Sequence, residues 1–188
     1  ERLLGMANFT RRHLIKRSGG IVAGLLAVPY FVSSSVLAAR PNSNINIGLI
    51  GAGAMGLHNT GGFFNVEGIR MVAVCDVDRE KAKNAKFEIN KFYGNNDCAI
   101  YSDFRELLER KDIDAVCLCT PDHWHGLIAV ASARAGKDIY GEKPLAHNIV
   151  EGRAICDAVK KYGRVWQTGS WQRSQESFAF ACEPVLNG

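Results

Sequence analysis

Residues 45–56 read INIGLIGAGAMG, a short apolar run followed at once by three glycines spaced as G-x-G-x-x-G. The run predicts a β-strand from Ile45 to Ile50, and the pattern after the glycines predicts a helix from about Ala54 to Val66. In such a turn the first glycine permits a tight bend, the second lets a pyrophosphate approach the backbone, and the third lets the helix pack closely. The helix N-terminus adds unpaired N–H groups. We therefore expect a dinucleotide to bind at Gly51, Ala52, Gly53, Ala54, Met55 and Gly56.

Strands and helices alternate along the chain that follows. This alternation predicts right-handed crossovers and a parallel sheet covered by helices on both faces, an α/β fold of the doubly wound Rossmann type. The further strands are expected at 69–75, 114–119, 138–140 and 165–168, and the further helices at 78–94, after Ser102 or Asp103, at 124–135 and at 149–162.

Asp76 stands 20 residues after Gly56, at the end of the second predicted strand. A carboxylate at this position accepts hydrogen bonds from the ribose hydroxyls of the adenosine. It would also repel a 2′-phosphate, which favours NAD over NADP. Arg79 follows three residues later and could accommodate that phosphate, so NADP stays open.

The sequence CTPDHWHGL at 119–127 follows a strand at the sheet edge where open α/β sheets bind their ligands. Thr120 and Pro121 are expected to form the rim of the cofactor site, with His125 lining it or serving a structural role, and Asp122 could cap the next helix. His123 and His125 also raise the possibility of a metal site with Cys117 and Cys119. We expect no metal, because both cysteines lie on a buried strand and no further ligand spacing is present.

Lys143 lies in the run GKDIYGEKPL at 136–145, directly after another strand and at the same sheet edge, so we expect it to face the same crevice as the glycine loop. A lysine there could hydrogen-bond a reacting hydroxyl, and Pro144 would stiffen the backbone that carries it. The alternative is an ordinary solvated lysine paired with Glu142. The position at the ligand edge favours a functional role for Lys143.

The first 39 residues have the pattern of an export signal. Arg11 and Arg12 precede an uncharged stretch from Ser18 to Ala39 that ends in small residues, which is typical of the twin-arginine route. A membrane anchor and an internal amphipathic helix are the alternatives. Glycines and serines make the stretch a poor span at the ~20 apolar residues required. We expect a periplasmic or otherwise extracytoplasmic protein with no stable membrane span after signal removal.

The remaining chain carries no net charge. Of 23 basic and 19 acidic residues, 18 of each follow residue 39, so nothing indicates nucleic acid as a partner. The six cysteines show no disulfide-framework spacing, and we expect most of them to act as small buried apolar residues.

Five motifs together resemble the Gfo/Idh/MocA family, named after glucose-fructose oxidoreductase, inositol dehydrogenase and a rhizopine-catabolism protein, and in particular its exported bacterial members. They are GLIGAGAMG (48–56), AVCDVD (73–78), TPDHWH (120–125), GKDIYGEKPL (136–145) and QTGSWQRS (167–174). The resemblance implies a Rossmann domain followed by an α/β domain with a mostly antiparallel sheet, and hydride transfer between a nicotinamide and a sugar or cyclic polyol hydroxyl. It implies that Lys143 is the active-site lysine and that Glu142 lies beside the nicotinamide ribose.

These inferences give a domain plan. An export signal at 1–39 and a polar linker at 40–44 precede an NAD(P)-binding domain at 45–168, and 169–188 are expected to be only the start of the substrate and oligomerisation domain, which would supply further catalytic residues. The full-length protein is expected to be a homo-oligomer. Two other functions stay open: an NAD-dependent glycoside-cleaving enzyme, and a non-catalytic dinucleotide-binding protein.

Overall fold

The computed structural model describes residues 44–187, so the predicted export signal and most of the predicted linker lie outside the described residues. Six parallel strands form one sheet in the order β3-β2-β1-β4-β5-β6. This order confirms the predicted doubly wound α/β fold. The strands are β1 (Ile45–Ile50), β2 (Ile69–Cys75), β3 (Ala99–Tyr101), β4 (Ala115–Leu118), β5 (Asp138–Glu142) and β6 (Trp166–Gly169).

Helices connect the strands and cover both faces of the sheet. They are α1 (Ala54–Phe63), α2 (Arg79–Tyr93), α3 (Phe104–Glu109), α4 (Asp122–Arg134) and α5 (Ile149–Tyr162). After β6 come a 3₁₀ turn (Trp171–Ser174) and α6 (Glu176–Asn187). The assignment of residues 169–188 to a second domain stays a prediction.

The core has two layers, one on each face of the sheet. Along β4 the side chains alternate between them: Val116 and Leu118 join one layer, Cys117 joins the other, and all three are fully buried. Helices cover both faces of a central parallel strand. Its sequence is therefore a continuous apolar run instead of an alternating one.

The strand order reverses between β1 and β4, which are direct neighbours although two strands separate them in sequence. The chain therefore leaves β1 towards one side of the sheet and β4 towards the other. At the carboxyl ends of these strands, the backbone N–H of Cys119 donates to the carbonyl of Ile50 at 2.8 Å. The two connections diverge from this point and open a crevice, the usual ligand position in this fold.

Several element boundaries differ from expectation. The strand β3 was not predicted, because it is three half-buried residues at a sheet edge and too short for a periodicity to show. Strand β5 continues through Glu142, since Gly141 and Glu142 pair with Thr168 and Gly169 of β6.

Two helix termini also differ. Helix α1 ends at Phe63, before the expected Val66, in the stretch weakened by Gly61 and Gly62. The expectation that Asp122 caps α4 is wrong, because Pro121 occupies the N-cap and Asp122 lies in the first turn. No helix within residues 44–187 is long and apolar enough to cross a membrane.

The N-terminus of α5 allows a direct test of the fold. The side chain of Asn148 accepts from the N–H of Glu151 at 2.9 Å, and its amide donates to the Glu151 carboxylate at 2.9 Å. Asn148→Ala should therefore lower the free energy of unfolding by about 0.5–2 kcal/mol. Thermal or urea denaturation measures this loss. The neighbouring Ile149→Ala, at a position 91% exposed, should leave stability nearly unchanged, and equal losses would contradict the capping role.

Candidate dinucleotide site

A crevice of about 650 Å³ opens at the carboxyl ends of β1, β2, β3 and β4. Seven residues predicted to bind the cofactor line it: Gly51, Gly53, Ala54, Met55, Asp76, Thr120 and Pro121. The other two members of the glycine loop, Ala52 and Gly56, are buried directly behind this lining. The sequence motif and the crevice therefore coincide.

Glycine is required at each of the three positions of the loop for a different structural reason. Gly51 has φ +96°, and a Cβ on it would lie 2.6 Å from the backbone of Cys119, so the turn could not pack against the end of β4. A Cβ on Gly56 would collide with the carbonyl oxygen of Gly51. A Cβ on Gly53 would meet no protein atom within 4 Å, although this residue lines the crevice. Two glycines thus serve the fold, and the third keeps the backbone accessible to a ligand.

Asp76 is tied to the glycine loop. Its Oδ2 accepts from the N–H of Ala52 at 2.6 Å, and its Oδ1 accepts from the N–H of Asp78 at 2.8 Å. The carboxylate is thereby fixed at the end of β2, facing the crevice. This arrangement suits recognition of a ribose diol, which donates two hydrogen bonds to one carboxylate.

One polar atom at the crevice has no partner within the described chain: the hydroxyl oxygen of Thr120 is buried and unbonded among residues 44–187. A buried hydroxyl without a hydrogen bond costs about 1–3 kcal/mol, so such a group is usually satisfied by a ligand or water. Together with the open space at Gly53 and the fixed carboxylate of Asp76, it fits a polar ligand of dinucleotide size.

The adenosine side of the crevice is predominantly acidic. Asp76, Asp78 and Asp103 line it together with two cations, Lys81 and Arg105. Backbone N–H groups, of Lys81 for Asp78 and of Arg105 for Asp103, lower the pKa of both carboxyls and keep them charged. Lys81 pairs with Asp78 at 3.4 Å and Arg105 with Asp103 at 3.1 Å, and both ion pairs are exposed to solvent.

Two buried thiols, Cys75 in the crevice lining and Cys117 on β4, have raised pKa values. Burial, followed by the charges of Asp76, Asp103 and Glu106, raises the pKa of Cys75 to about 12. The contact with Cys119, followed by burial, raises the pKa of Cys117 well above its ordinary value. These two thiols therefore stay protonated near neutral pH and are poor nucleophiles. Among residues 44–187 no group of three or more His, Cys, Asp or Glu side chains could hold a metal ion.

His125 lies outside the crevice lining, and its contact with the cofactor stays a prediction. Its side chain is fully buried, with Nδ1 2.7 Å from the carbonyl oxygen of Pro144 and Nε2 2.9 Å from that of Thr120. The ring thus bridges the loop after β4 and the loop after β5. Of the two roles open to it, this geometry fits the structural one.

Glu142 and Lys143 lie at the carboxyl end of β5, one strand beyond the crevice. Glu142 is only 4% exposed, whereas Lys143 is exposed to solvent and forms no part of the crevice lining. The backbone N–H of Lys143 donates to the Glu142 carboxylate at 3.2 Å. The same sheet edge therefore carries the dinucleotide crevice and, beside it, a buried carboxylate followed by an exposed ammonium group.

Three parts of the site were not predicted. The loop 102–105 lines the crevice because β3 leads into it, and the missed strand hid its position. Trp124 lines the crevice from the first turn of α4, as an aromatic residue next to the predicted rim. Asn59, buried in α1, hydrogen-bonds Glu142 at 2.9 Å, and no sequence pattern signals a partner 83 positions away.

The glycine turn, the ribose-directed carboxylate and the strand order together define a dinucleotide-binding Rossmann domain. The chain belongs to the Gfo/Idh/MocA family, because the model of that oxidoreductase family, described as having an NAD-binding Rossmann fold, matches residues 45–170. The expected family membership is thereby confirmed.

The chain is 30% identical over 178 residues to an alpha-N-acetylgalactosaminidase of Shewanella oneidensis, an alignment that covers 83% of this chain and 38% of that protein. A putative myo-inositol dehydrogenase from Sinorhizobium meliloti is similar in structure, with a TM-score of 0.66, 27% identity, and coverage of 77% of this chain and 42% of that one. An apo scyllo-inositol dehydrogenase from Lactobacillus casei gives a TM-score of 0.66 at 25% identity, covering 78% and 42%. The chain thus spans about two fifths of the length of these relatives.

A substitution at Gly53 tests ligand binding separately from folding. Gly53→Ala should weaken NAD binding at least about tenfold, or 1.4 kcal/mol, because the new methyl group occupies the approach of the pyrophosphate. Calorimetric titration with NAD measures the loss, and thermal denaturation should show only the small cost of alanine at the N-cap of α1, because the methyl group meets no protein atom. The control is Gly61→Ala, also in open space but farther along α1, which should bind NAD normally. Unchanged affinity in Gly53→Ala would contradict phosphate binding at this loop.

Proposed function

We propose that this chain is the cofactor-binding part of an NAD-dependent oxidoreductase that acts on a CH–OH group of a sugar or cyclic polyol. The observation that carries the proposal is the shared sheet edge, which holds the glycine loop and Asp76 in the crevice and, one strand beyond it, the exposed Lys143. Bound NAD would supply the hydride acceptor at its nicotinamide ring. The names of structural relatives, inositol dehydrogenases among them, support a polyol as substrate.

The residues of this chain would perform three tasks in such a reaction. The N-terminus of α1 binds the pyrophosphate, and the carboxylate of Asp76 accepts from the ribose hydroxyls. Lys143, exposed and directly after β5, hydrogen-bonds the reacting oxygen of the substrate and assists removal of its proton. Glu142, buried under Lys143, lies beside the nicotinamide ribose. The buried neutral thiols of Cys75 and Cys117 argue against covalent catalysis by either of them.

A second candidate is a glycosidase that oxidises its substrate only transiently and ends the cycle with the cofactor unchanged. It is supported by the curated relatives, which bear the names alpha-N-acetylgalactosaminidase and glycosyl hydrolase family 109 protein. Both candidates need the same dinucleotide crevice and hydride step. They differ in whether reduced cofactor accumulates or an aglycone is released.

One assay on the full-length protein separates the candidates. With NAD and a panel of sugars and inositols, the oxidoreductase produces NADH, whereas a glycosidase releases p-nitrophenol from p-nitrophenyl α-N-acetylgalactosaminide without net NADH. In either case Lys143→Ala should lower kcat by about 10²–10⁴-fold, the usual contribution of a positioned proton-transfer group. Lys160→Ala, at an exposed position of α5, is the matched control and should keep full activity.

Failure of both reactions, in a protein that still binds NAD, would favour the non-catalytic dinucleotide-binding alternative. Normal turnover in Lys143→Ala would remove Lys143 from the reaction and leave the dinucleotide site intact.

We further propose NAD, not NADP, as the cofactor. Three carboxylates line the adenosine side of the crevice, and both cations there are already paired. Arg79, the residue that could favour NADP, is exposed and is absent from the crevice lining. A 2′-phosphate would therefore meet negative charge with no free cation in the lining.

Asp76→Ala tests this preference. The variant should lose about tenfold to hundredfold in NAD affinity, because hydrogen bonds to a charged group are worth about 1.5–3 kcal/mol. Its affinity for NADP should stay constant or rise, so the ratio of the NAD affinity to the NADP affinity should fall. Titration with both cofactors measures this ratio, with Asp97→Ala, at an exposed carboxylate outside the crevice lining, as control. Tighter binding of NADP by the unmodified protein would overturn the assignment.

Export by the twin-arginine route and homo-oligomer formation are proposals as well. The first rests on Arg11, Arg12 and the uncharged stretch that follows them, and the second on the family resemblance.

A further inference from the structure

Asn59 is a buried polar residue in the interior of α1, where an apolar side chain would be the ordinary choice. It is 8% exposed, and its side-chain amide donates to the Glu142 carboxylate at 2.9 Å and to the Sγ of Cys119 at 3.3 Å. One amide group therefore connects the phosphate-binding helix to the ends of β4 and β5. Neither the glycine motif nor the Glu-Lys-Pro run includes this residue.

The partner of Asn59 is an unusual carboxylate. Glu142 is 4% exposed, and within residues 44–187 no salt bridge involves it. One carboxylate oxygen accepts from Asn59, and the other accepts from the backbone N–H of Lys143 at 3.2 Å. A buried carboxylate without a cation depends on such donors, because desolvation of its charge costs several kcal/mol.

The surroundings leave Glu142 little freedom. A Cβ on Gly169 of β6 would lie 2.6 Å from the carboxylate oxygen that Asn59 contacts, so β6 closes one side. The charge also acts on its neighbours: burial first, and then the Glu142 carboxylate, raise the pKa of Tyr140. Asn59 holds the same oxygen from α1. The orientation of Glu142, and of the Lys143 backbone bonded to it, thus depends on the position of α1.

We propose that Asn59 is a positioning residue: its amide holds Glu142, and through it the start of the Lys143 loop, in register with the helix that binds the cofactor phosphates. The proposal rests on the proposed NAD-dependent function. Asn59 follows Ala54 by about one and a half helical turns, so it lies between the phosphate end of α1 and the carboxylate. Removal of the link should disturb the nicotinamide end of the site and leave the phosphate end intact.

Exchange of the amide and carboxylate groups between positions 59 and 142 tests the link. In Asn59→Asp two carboxylates face each other, and in Glu142→Gln the amide must confront either Asn59 or the Lys143 N–H with a donor. Each single variant of the full-length protein should bind NAD at least about tenfold more weakly. In the double variant N59D/E142Q the introduced glutamine can donate to the introduced aspartate and still accept from the Lys143 N–H. It should bind NAD more tightly than either single variant, and its apoprotein should melt at a higher temperature than theirs.

Additive losses in the double variant would overturn the proposal, because independent packing defects sum and a hydrogen-bonded pair does not. The matched control is Asn90→Asp, at an equally buried asparagine of α2 whose side chain accepts from the Cys98 N–H. The change in melting temperature that it causes should add to the change caused by Glu142→Gln. If Asn59→Asp alone does not fold, a folded double variant still supports the link, and a double variant that also fails to fold counts against it.

A kcat-against-KM comparison provides a second test. Asn59→Ala removes the donor without adding charge, and it should lower kcat more than it raises the KM for NAD, since the phosphate loop is untouched. An unchanged kcat in a merely less stable protein would contradict positioning. Absence of NAD binding by the unmodified protein would instead refute the proposed function, while the melting temperatures of the apoproteins would still report on the Asn59–Glu142 pair.

Discussion

The close approach of the first glycine to β4 is the constraint on which the rest of the site depends. Gly51 turns with a positive φ, and its missing Cβ lets the loop rest on the backbone of Cys119 and Thr120. That contact sets the distance between the N-terminus of α1 and the end of β4. It also directs the Ala52 N–H towards Asp76, so the phosphate and ribose sides of the crevice are built from one turn.

A second level of organisation joins this crevice to the end of β5. His125 bridges the carbonyl groups of Thr120 and Pro144, and Asn59 bridges Cys119 and Glu142. Both residues are buried polar groups with protein partners, the arrangement by which interiors gain specificity instead of bulk stability. The chain thus fixes three neighbouring strand ends through backbone and amide contacts, and Lys143, directly after the last of them, remains exposed.

Much of this could be predicted from the sequence, for reasons tied to particular residues. The sequence spacing identifies Gly51, Gly53, Gly56 and Asp76, because it reflects a local turn of fixed geometry. Strand β3 and the loop 102–105 could not be found, since three residues at a sheet edge carry no periodic signal. The partners of His125 and Asn59 depend on tertiary contacts between distant segments. The sequence could show that His125 lies near the site, but not that its ring faces two carbonyl groups.

The raised pKa of the Cys75 thiol has a consequence for how this side chain reacts with oxidants. The Cys75 thiol, with its pKa raised to about 12, stays protonated at neutral pH, and the thiolate is the form that attacks disulfides and peroxides. Cys75 is therefore a slow target for oxidants, although it lies in the lining of the nucleotide crevice.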